Sequence, residues 1–161
     1  MADIVDKPTR SRIMSRIKGK DTDPELIVRR GLFRRGVRYR LHDRSLPGQP
    51  DLKLTKHRAV IFVHGCYWHQ HSSCHWGTHP SSRVEFWGPK LEGNIRRDAQ
   101  NIELLRRDGW RVGVVWECAL RPRWKDETVD AVFNWLNSNE TYFETRVVRR
   151  RELHISPKRM G

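Results

Sequence analysis

Long apolar runs are missing from this 161-residue chain. No stretch is long enough to cross a bilayer as a helix, and the N-terminus lacks the hydrophobic segment of a secretory leader. Cysteine is scarce: Cys66, Cys74 and Cys118 are the only three. Three thiols cannot all pair within one chain, which argues against a disulfide framework and toward a reducing, cytoplasmic setting. Negative charge is also short. Lys and Arg number 32 against 19 Asp and Glu, a formal charge of +13. That excess points to a polyanionic partner, with a merely basic surface as the bland alternative. Nucleic acid is the commonest such partner. No internal repeat or low-complexity tract is visible, and the length suits one domain with a single core.

The positive charge is thickest at the two ends. Residues 1–20 form a basic arm with Lys7, Arg10, Arg12, Arg16, Lys18 and Lys20, and residues 141–161 a basic tail with Arg146, Arg149, Arg150, Arg151, Lys158 and Arg159. Either end could lie along phosphates and make binding salt-dependent, or simply solubilise the chain. The tail is the blander of the two. Residues 21–140 carry the folded domain.

Within that domain the element signals are local. Thr22-Asp23-Pro24-Glu25 is a helix start, and the helix runs to about Arg35 and stops at Gly36. Val37, Tyr39 and Leu41 alternate with Arg38, Arg40 and His42, as in a half-buried strand. Leu46 to Pro50 is a turn, Asp51 to Leu54 a short strand, and Ala59 to Val63 an apolar central strand. Gly88-Pro89 opens a long helix with Leu91, Ile95, Ala99, Ile102 and Leu105 on one face, ended by Asp108-Gly109. Arg111 to Trp116 is a strand, and Val129, Val132, Phe133 and Leu136 mark a last helix. The order predicts an α/β fold: one mixed sheet flanked by helices.

Between Gly65 and Pro80 lies an irregular loop rich in His, Ser and Cys. A loop this long needs a local fastening, which a metal supplies. Cys66, His71 and Cys74 with Cys118 make a Cys3His set for structural Zn2+ and use every cysteine. His69, His75 and His79 compete with His71 for the fourth position. Three unrelated buried thiols are the alternative.

The same region offers catalytic groups. Asp51 and the carbonyl of Val63 fall at the ends of two strands expected to pair, and a hard cation such as Mg2+ takes oxygen ligands of this kind beside substrate phosphates. His64 and His69 can exchange protons near neutral pH. Each residue also has an ordinary reading: Asp51 as a turn residue after Pro50, the histidines as zinc ligands or hydrogen-bonding groups, and Glu25 as half of a capping box with Thr22. Tyr67 and Trp68 protrude among polar residues, and Phe86-Trp87 precede the long helix. Such rings, and Met14 in the basic arm, can wedge between base steps. Trp110, Trp116 and Trp135 are expected in the core.

Together these residues resemble the very short patch repair (Vsr) endonuclease family. The likeness is carried by Met1-Ala2-Asp3, Asp6-Lys7, Thr9-Arg10-Ser11, Asp21-Thr22 with Glu25, Ser45-Leu46-Pro47-Gly48 with Pro50-Asp51, and Val60-Ile61-Phe62 before His64-Gly65-Cys66. It continues through Trp68-His69, Glu85-Phe86-Trp87, Gly109-Trp110-Arg111-Val112 and Val115-Trp116-Glu117-Cys118-Ala119-Leu120, and covers roughly residues 1 to 136. The resemblance implies a restriction-endonuclease-like αβββαβ core with a structural zinc loop. It implies nicking of double-stranded DNA 5′ of the thymine in a T:G mismatch left by deamination of 5-methylcytosine. A single nicked strand suits a monomer, and the expected setting is the bacterial cytoplasm at the nucleoid, with mismatch-repair proteins as candidate partners.

By position, the resemblance gives Asp51 and the Val63 carbonyl to Mg2+. His69 activates water, His64 assists at the phosphate, and Glu25 contacts the metal site through solvent. Cys66, His71, Cys74 and Cys118 hold Zn2+, and Tyr67, Trp68, Trp87 and Met14 intercalate. Val63 stands where better-known relatives carry threonine, the loop holds one extra residue between His71 and Cys74, and no Glu-x-Lys follows Asp51. A zinc-stabilised DNA-binding module without catalysis, and a hydrolase using zinc itself, are the competing readings.

Overall fold

The computed structural model describes residues 8–9 and 20–145. Helix α1 (Asp23–Arg34) begins where Thr22 Oγ1 accepts the Glu25 N–H and Pro24 occupies the first turn. It ends ahead of Gly36, whose φ of +82° suits glycine. Its buried face is Glu25, Val28, Gly31 and Leu32. Strand β1 (Arg40–Leu41) is short. The alternation from Val37 is only partly realised: Val37 is buried, but Leu41 is 37% exposed at the sheet edge.

Strands β2 (Leu52–Leu54) and β3 (Ala59–His64) are antiparallel and joined by a turn of 3₁₀ helix. The long helix α2 (Val84–Arg107) carries the chain to β4 (Arg111–Trp116), which pairs parallel to β3 from Ala59↔Arg111 to His64↔Trp116. Helix α2 starts earlier than the sequence predicts. Phe86 and Trp87 lie in its first turn and Pro89 is inside it. A proline this near the start loses one backbone bond without breaking the helix. Helix α3 (Lys125–Leu136) follows, then β5 (Tyr142–Glu144), parallel to β4.

The sheet order is β1-β2-β3-β4-β5. Strand alternation divides the core in two. Leu52, Leu54, Ala59, Ile61 and Val115 pack with Val28 and Leu32 of α1 and Val132, Trp135 and Leu136 of α3. Val60, Phe62, Val112, Val114 and Trp116 pack on the other face with Leu105 of α2 and with Cys66, Cys118 and Trp124. Helices α1 and α3 meet closely at Gly31, where an added Cβ would lie 2.6 Å from Val129 Cγ1.

The chain after residue 140, read from sequence as tail, begins inside this sheet. Thr145 N–H donates to the Val114 carbonyl at 3.0 Å, and Trp116 N–H donates to Thr145 Oγ1 at 2.9 Å. Trp116 and Trp135 are buried as expected, while Trp110 is half-buried beneath Arg58 and Lys53. Among the described residues no helix is long and apolar enough to cross a membrane.

Candidate active site and metal centres

Strand β2 runs antiparallel to both its neighbours, so β1 ends, β2 begins and β3 ends at one rim of the sheet. A cavity of about 650 Å³ opens there, lined among others by His42, Asp51, Val63, His64, His69 and Asp98. Asp51 stands one residue before β2. The Val63 N–H donates to Asp51 Oδ2 at 2.7 Å. The N–H and C=O of one strand residue leave by the same edge, so the Val63 carbonyl belongs to the Asp51 side. Burial pushes the Asp51 carboxyl up to about 6, against the Val63 hydrogen bond, and the nearby Glu25 charge pushes the same way as burial. A buried carboxylate this costly to ionise, beside a backbone oxygen, is a donor set suited to a hard cation.

His64 ends β3 and turns to the α2 face. It is 5% exposed, and burial lowers it to about 3, with His69 acting in the same direction, so the imidazole is neutral at pH 7. The His69 ring lies on it, centroids 3.8 Å apart and planes 2° from parallel. His69 Nδ1 lies 2.6 Å from Asp98 Oδ2 of α2. A carboxylate on one ring nitrogen fixes the tautomer and leaves Nε2 to take a proton.

On the opposite side, Glu25 is 1% exposed. Its Oε2 accepts the Asp21 N–H at 2.7 Å, a return bond one residue before the cap. Its Oε1 lies 2.5 Å from His42 Nε2. Glu25 therefore caps the helix and holds His42, which lines the cavity.

The Gly65–Gly77 loop winds through successive turns, with His71 N–H bonded to the Cys66 carbonyl and Cys74 N–H to the His71 carbonyl. An added Cβ at Gly77 would sit 2.2 Å from the His71 carbonyl oxygen, so only glycine fits. Ligand atoms of Cys66, His71, Cys74 and Cys118 all lie within 4.8 Å of one another. His71 Nδ1 is 3.6 Å from Cys66 Sγ and 3.5 Å from Cys118 Sγ. Tetrahedral Zn–S and Zn–N bonds place neighbouring ligands about 3.5 Å apart. The cluster fits Zn2+, and His71, rather than His69, His75 or His79, is the imidazole that joins the thiols. Hydrogen bonding to Cys118 and burial push the Cys66 thiol up, and burial raises Cys74, a cost that a cation reverses. The His71 ring stacks on Trp116 at 4.0 Å.

Tyr67, Trp68 and Trp87 form one aromatic ridge. Tyr67 and Trp68 meet edge to face at 5.3 Å, and Trp68 and Trp87 lie 5.7 Å apart. Asn94 Nδ2 donates to the Trp68 carbonyl at 3.0 Å and ties the ridge to α2. Met14 lies outside the described residues.

Two cavity residues escaped the sequence reading, His42 and Asp98. For Asp98 a signal existed. Positions 91, 95, 98, 102 and 105 keep the helical spacing of an apolar stripe better than one through Ala99, and a carboxylate at 98 interrupts it. Ala99 and Ile95 are exposed, whereas Asp98 is half-buried.

A mixed sheet that presents a buried carboxylate and stacked imidazoles from its strand ends, on a strongly basic chain, defines a nuclease-like α/β protein. Comparison with known proteins narrows the class. Residues 2–75 match the family model described as DNA mismatch endonuclease Vsr. The chain is 46% identical over 125 residues to DNA mismatch endonuclease Vsr of Escherichia coli K12, covering 78% of this chain and 80% of that one. It is 44% identical over 120 residues to the type II nicking enzyme V.XorIIP of Xanthomonas oryzae pv. oryzae, 74% of this chain and 88% of the relative. It is 44% identical over 121 residues to V.NmeAIP of Neisseria meningitidis, 75% and 86%. The chain belongs to the Vsr family of DNA mismatch endonucleases.

Proposed function

We propose that this protein nicks double-stranded DNA on the 5′ side of the thymine in a T:G mismatch, the product of 5-methylcytosine deamination, and thereby starts very short patch repair. The carrying observation is that Asp51 and the His69–Asp98 pair line one cavity beside an aromatic ridge. A non-catalytic mismatch binder has no use for a buried carboxylate costly to ionise.

Asp51 and the Val63 carbonyl are the residues that would hold Mg2+, which when bound neutralises charge on the phosphate and its departing oxygen. His69 takes the proton of the attacking water at Nε2 while Asp98 keeps the ring oriented. His64, neutral, backs the His69 ring and offers a hydrogen bond at the phosphate. Glu25 reaches the site through His42 and solvent. Cys66, His71, Cys74 and Cys118 would hold a structural Zn2+ that stiffens the loop bearing Tyr67 and Trp68. Those two rings and Trp87 enter the stack beside the mismatch, with Met14 reaching in from the other groove. The protein acts as a monomer on chromosomal DNA in the cytoplasm, with mismatch-repair proteins as further partners.

The test is a panel of T:G duplexes in varied sequence contexts, with and without Mg2+, read for which strand breaks and where. Native protein is expected to cut one strand 5′ of the mismatched thymine only with Mg2+. Asp51→Ala should bind with similar affinity and not cut. Binding without cleavage by native protein in every context would favour the zinc-stabilised binding module instead.

A further inference from the structure

Two histidines that line the cavity, His42 and His69, are each paired with a carboxylate, and the strand order puts them on opposite sides of Asp51. His69–Asp98 joins the zinc-type loop to α2. His42–Glu25 joins the residue after β1 to α1, with Nε2 to Oε1 at 2.5 Å. The sheet dictates this placement. His42 donates its backbone N–H to the Asp51 carbonyl at 3.2 Å, and Asp51 takes the Val63 N–H from β3 on its other side. Adjacent strands lie about 4.8 Å apart, so Asp51 is central with one imidazole group flanking it each way. Displacement at phosphorus has the same shape: the attacking and leaving oxygens lie in line on opposite sides of the phosphorus.

A purely structural role accounts for only part of this pair. Capping uses Glu25 Oε2 and the Thr22 hydroxyl. Oε1 is left over, and it turns to His42 from a side chain only 2% exposed. His42 itself is held at φ +48°, a conformation costly for a residue with a side chain, and it lines the cavity. Among the described residues its Nδ1 has no partner. Arg29 and Asp21 complete the surroundings of Glu25, at 3.9 Å and through the Asp21 N–H.

We propose that His42, fixed by Glu25, is a further catalytic histidine, beside His64 and His69, that donates a proton to the leaving 3′ oxygen of the scissile phosphate. The assignment rests on the endonuclease reading above. Water oxygen bonds to phosphorus as His69 Nε2 takes its proton. The P–O3′ bond breaks with its electron pair on O3′, and His42, entering the step as an imidazolium whose Nε2–H is held by Glu25 Oε1, passes its Nδ1 proton to that oxygen and is left neutral. The products are a 3′-hydroxyl, which a polymerase can extend, and a 5′-phosphate. Solvent then restores the proton to His42 and removes the one on His69.

The experiment compares single-turnover nicking of two T:G duplexes by the full chain with Mg2+, one with the ordinary 3′ oxygen and one with sulfur at that bridging atom. A thiol has a pKa of about 8.5, so a thiolate departs without an acid. His42→Gln should slow the oxygen substrate by about 10²–10³-fold and the sulfur substrate by less than about 5-fold. His69→Gln should slow both alike. His42→Asn, a smaller change, and Glu25→Gln are run beside it, each checked against the native thermal melt, and should show the same oxygen-selective loss. Equal losses on the two substrates in folded His42 variants, or no loss, would overturn this assignment alone. Failure of native protein to cut either duplex would overturn the endonuclease reading and this assignment with it.

Discussion

The imidazole of His64 lies face to face with that of His69, 3.8 Å between centroids. Two full charges about 4 Å apart repel by about 4 kcal/mol at an effective dielectric near 20, so the stack tolerates one proton, not two. Burial keeps a proton off His64, whose value falls to about 3. A folded value below the unfolded one makes stability full above about pH 6.5 and erodes it as pH falls toward 3. His64 should therefore titrate as a neutral ring throughout pH 5 to 8 in nitrogen-detected NMR, and His64→Phe should lower the midpoint of acid unfolding. An imidazolium signal from His64 at pH 6 would contradict the stack.

Asp51 shifts in the opposite sense. Its folded value, about 6, lies above the unfolded one, so its contribution is fully present below about pH 3.8 and lost as pH rises through 6. Asp51→Asn should abolish nicking and yet raise stability at pH 7.5 without added Mg2+, by on the order of 2–3 kcal/mol. Urea unfolding at pH 4 and pH 7.5 measures it: the two proteins should be close at pH 4 and separate at pH 7.5. A variant weaker than native at pH 7.5 would remove burial as the source of the shift.

The fit of the Cys66, His71, Cys74 and Cys118 cluster to Zn2+ predicts one zinc per chain by metal analysis. Cys118→Ala should release it and lower the melting temperature. Gly77→Ala offers a ligand-sparing check, because its Cβ would strike the His71 carbonyl. It should weaken zinc retention in a chelator competition while leaving all four ligands in the chain. Native-like retention by both variants would refute the site.

Asp98 orients His69 without touching water itself. Asp98→Asn should cut the single-turnover rate by about 10²-fold or more, with little change in DNA affinity, because the tautomer is no longer fixed. A loss confined to binding would instead make the contact structural.

Much of this was legible in order along the chain. The cap at Thr22, the apolar runs at β3 and β4 and the clustered thiols each carry their signal within a few residues. What escaped depends on distant partners. β5 is three residues long and has no pattern of its own; its place is decided by open hydrogen-bonding groups on β4. Leu41 looked inward by alternation, but β1 is an edge strand too short for any helix to cover. His42 read as the polar half of that alternation because Glu25, its partner, lies 17 residues away on another element. The choice of His71 over its neighbours likewise required the backbone turns that bring it under Trp116.

Trp116 ties the far end of the chain to the metal loop. Its ring lies flat on His71, its indole N–H reaches Glu144 Oε1 at 2.7 Å, and its backbone N–H reaches Thr145. Anyone shortening this protein to its recognisable motifs would cut at about residue 136 or 140 and leave that indole unanchored. The damage would surface roughly seventy residues upstream, as a slackened cysteine lobe and a misaimed aromatic wedge.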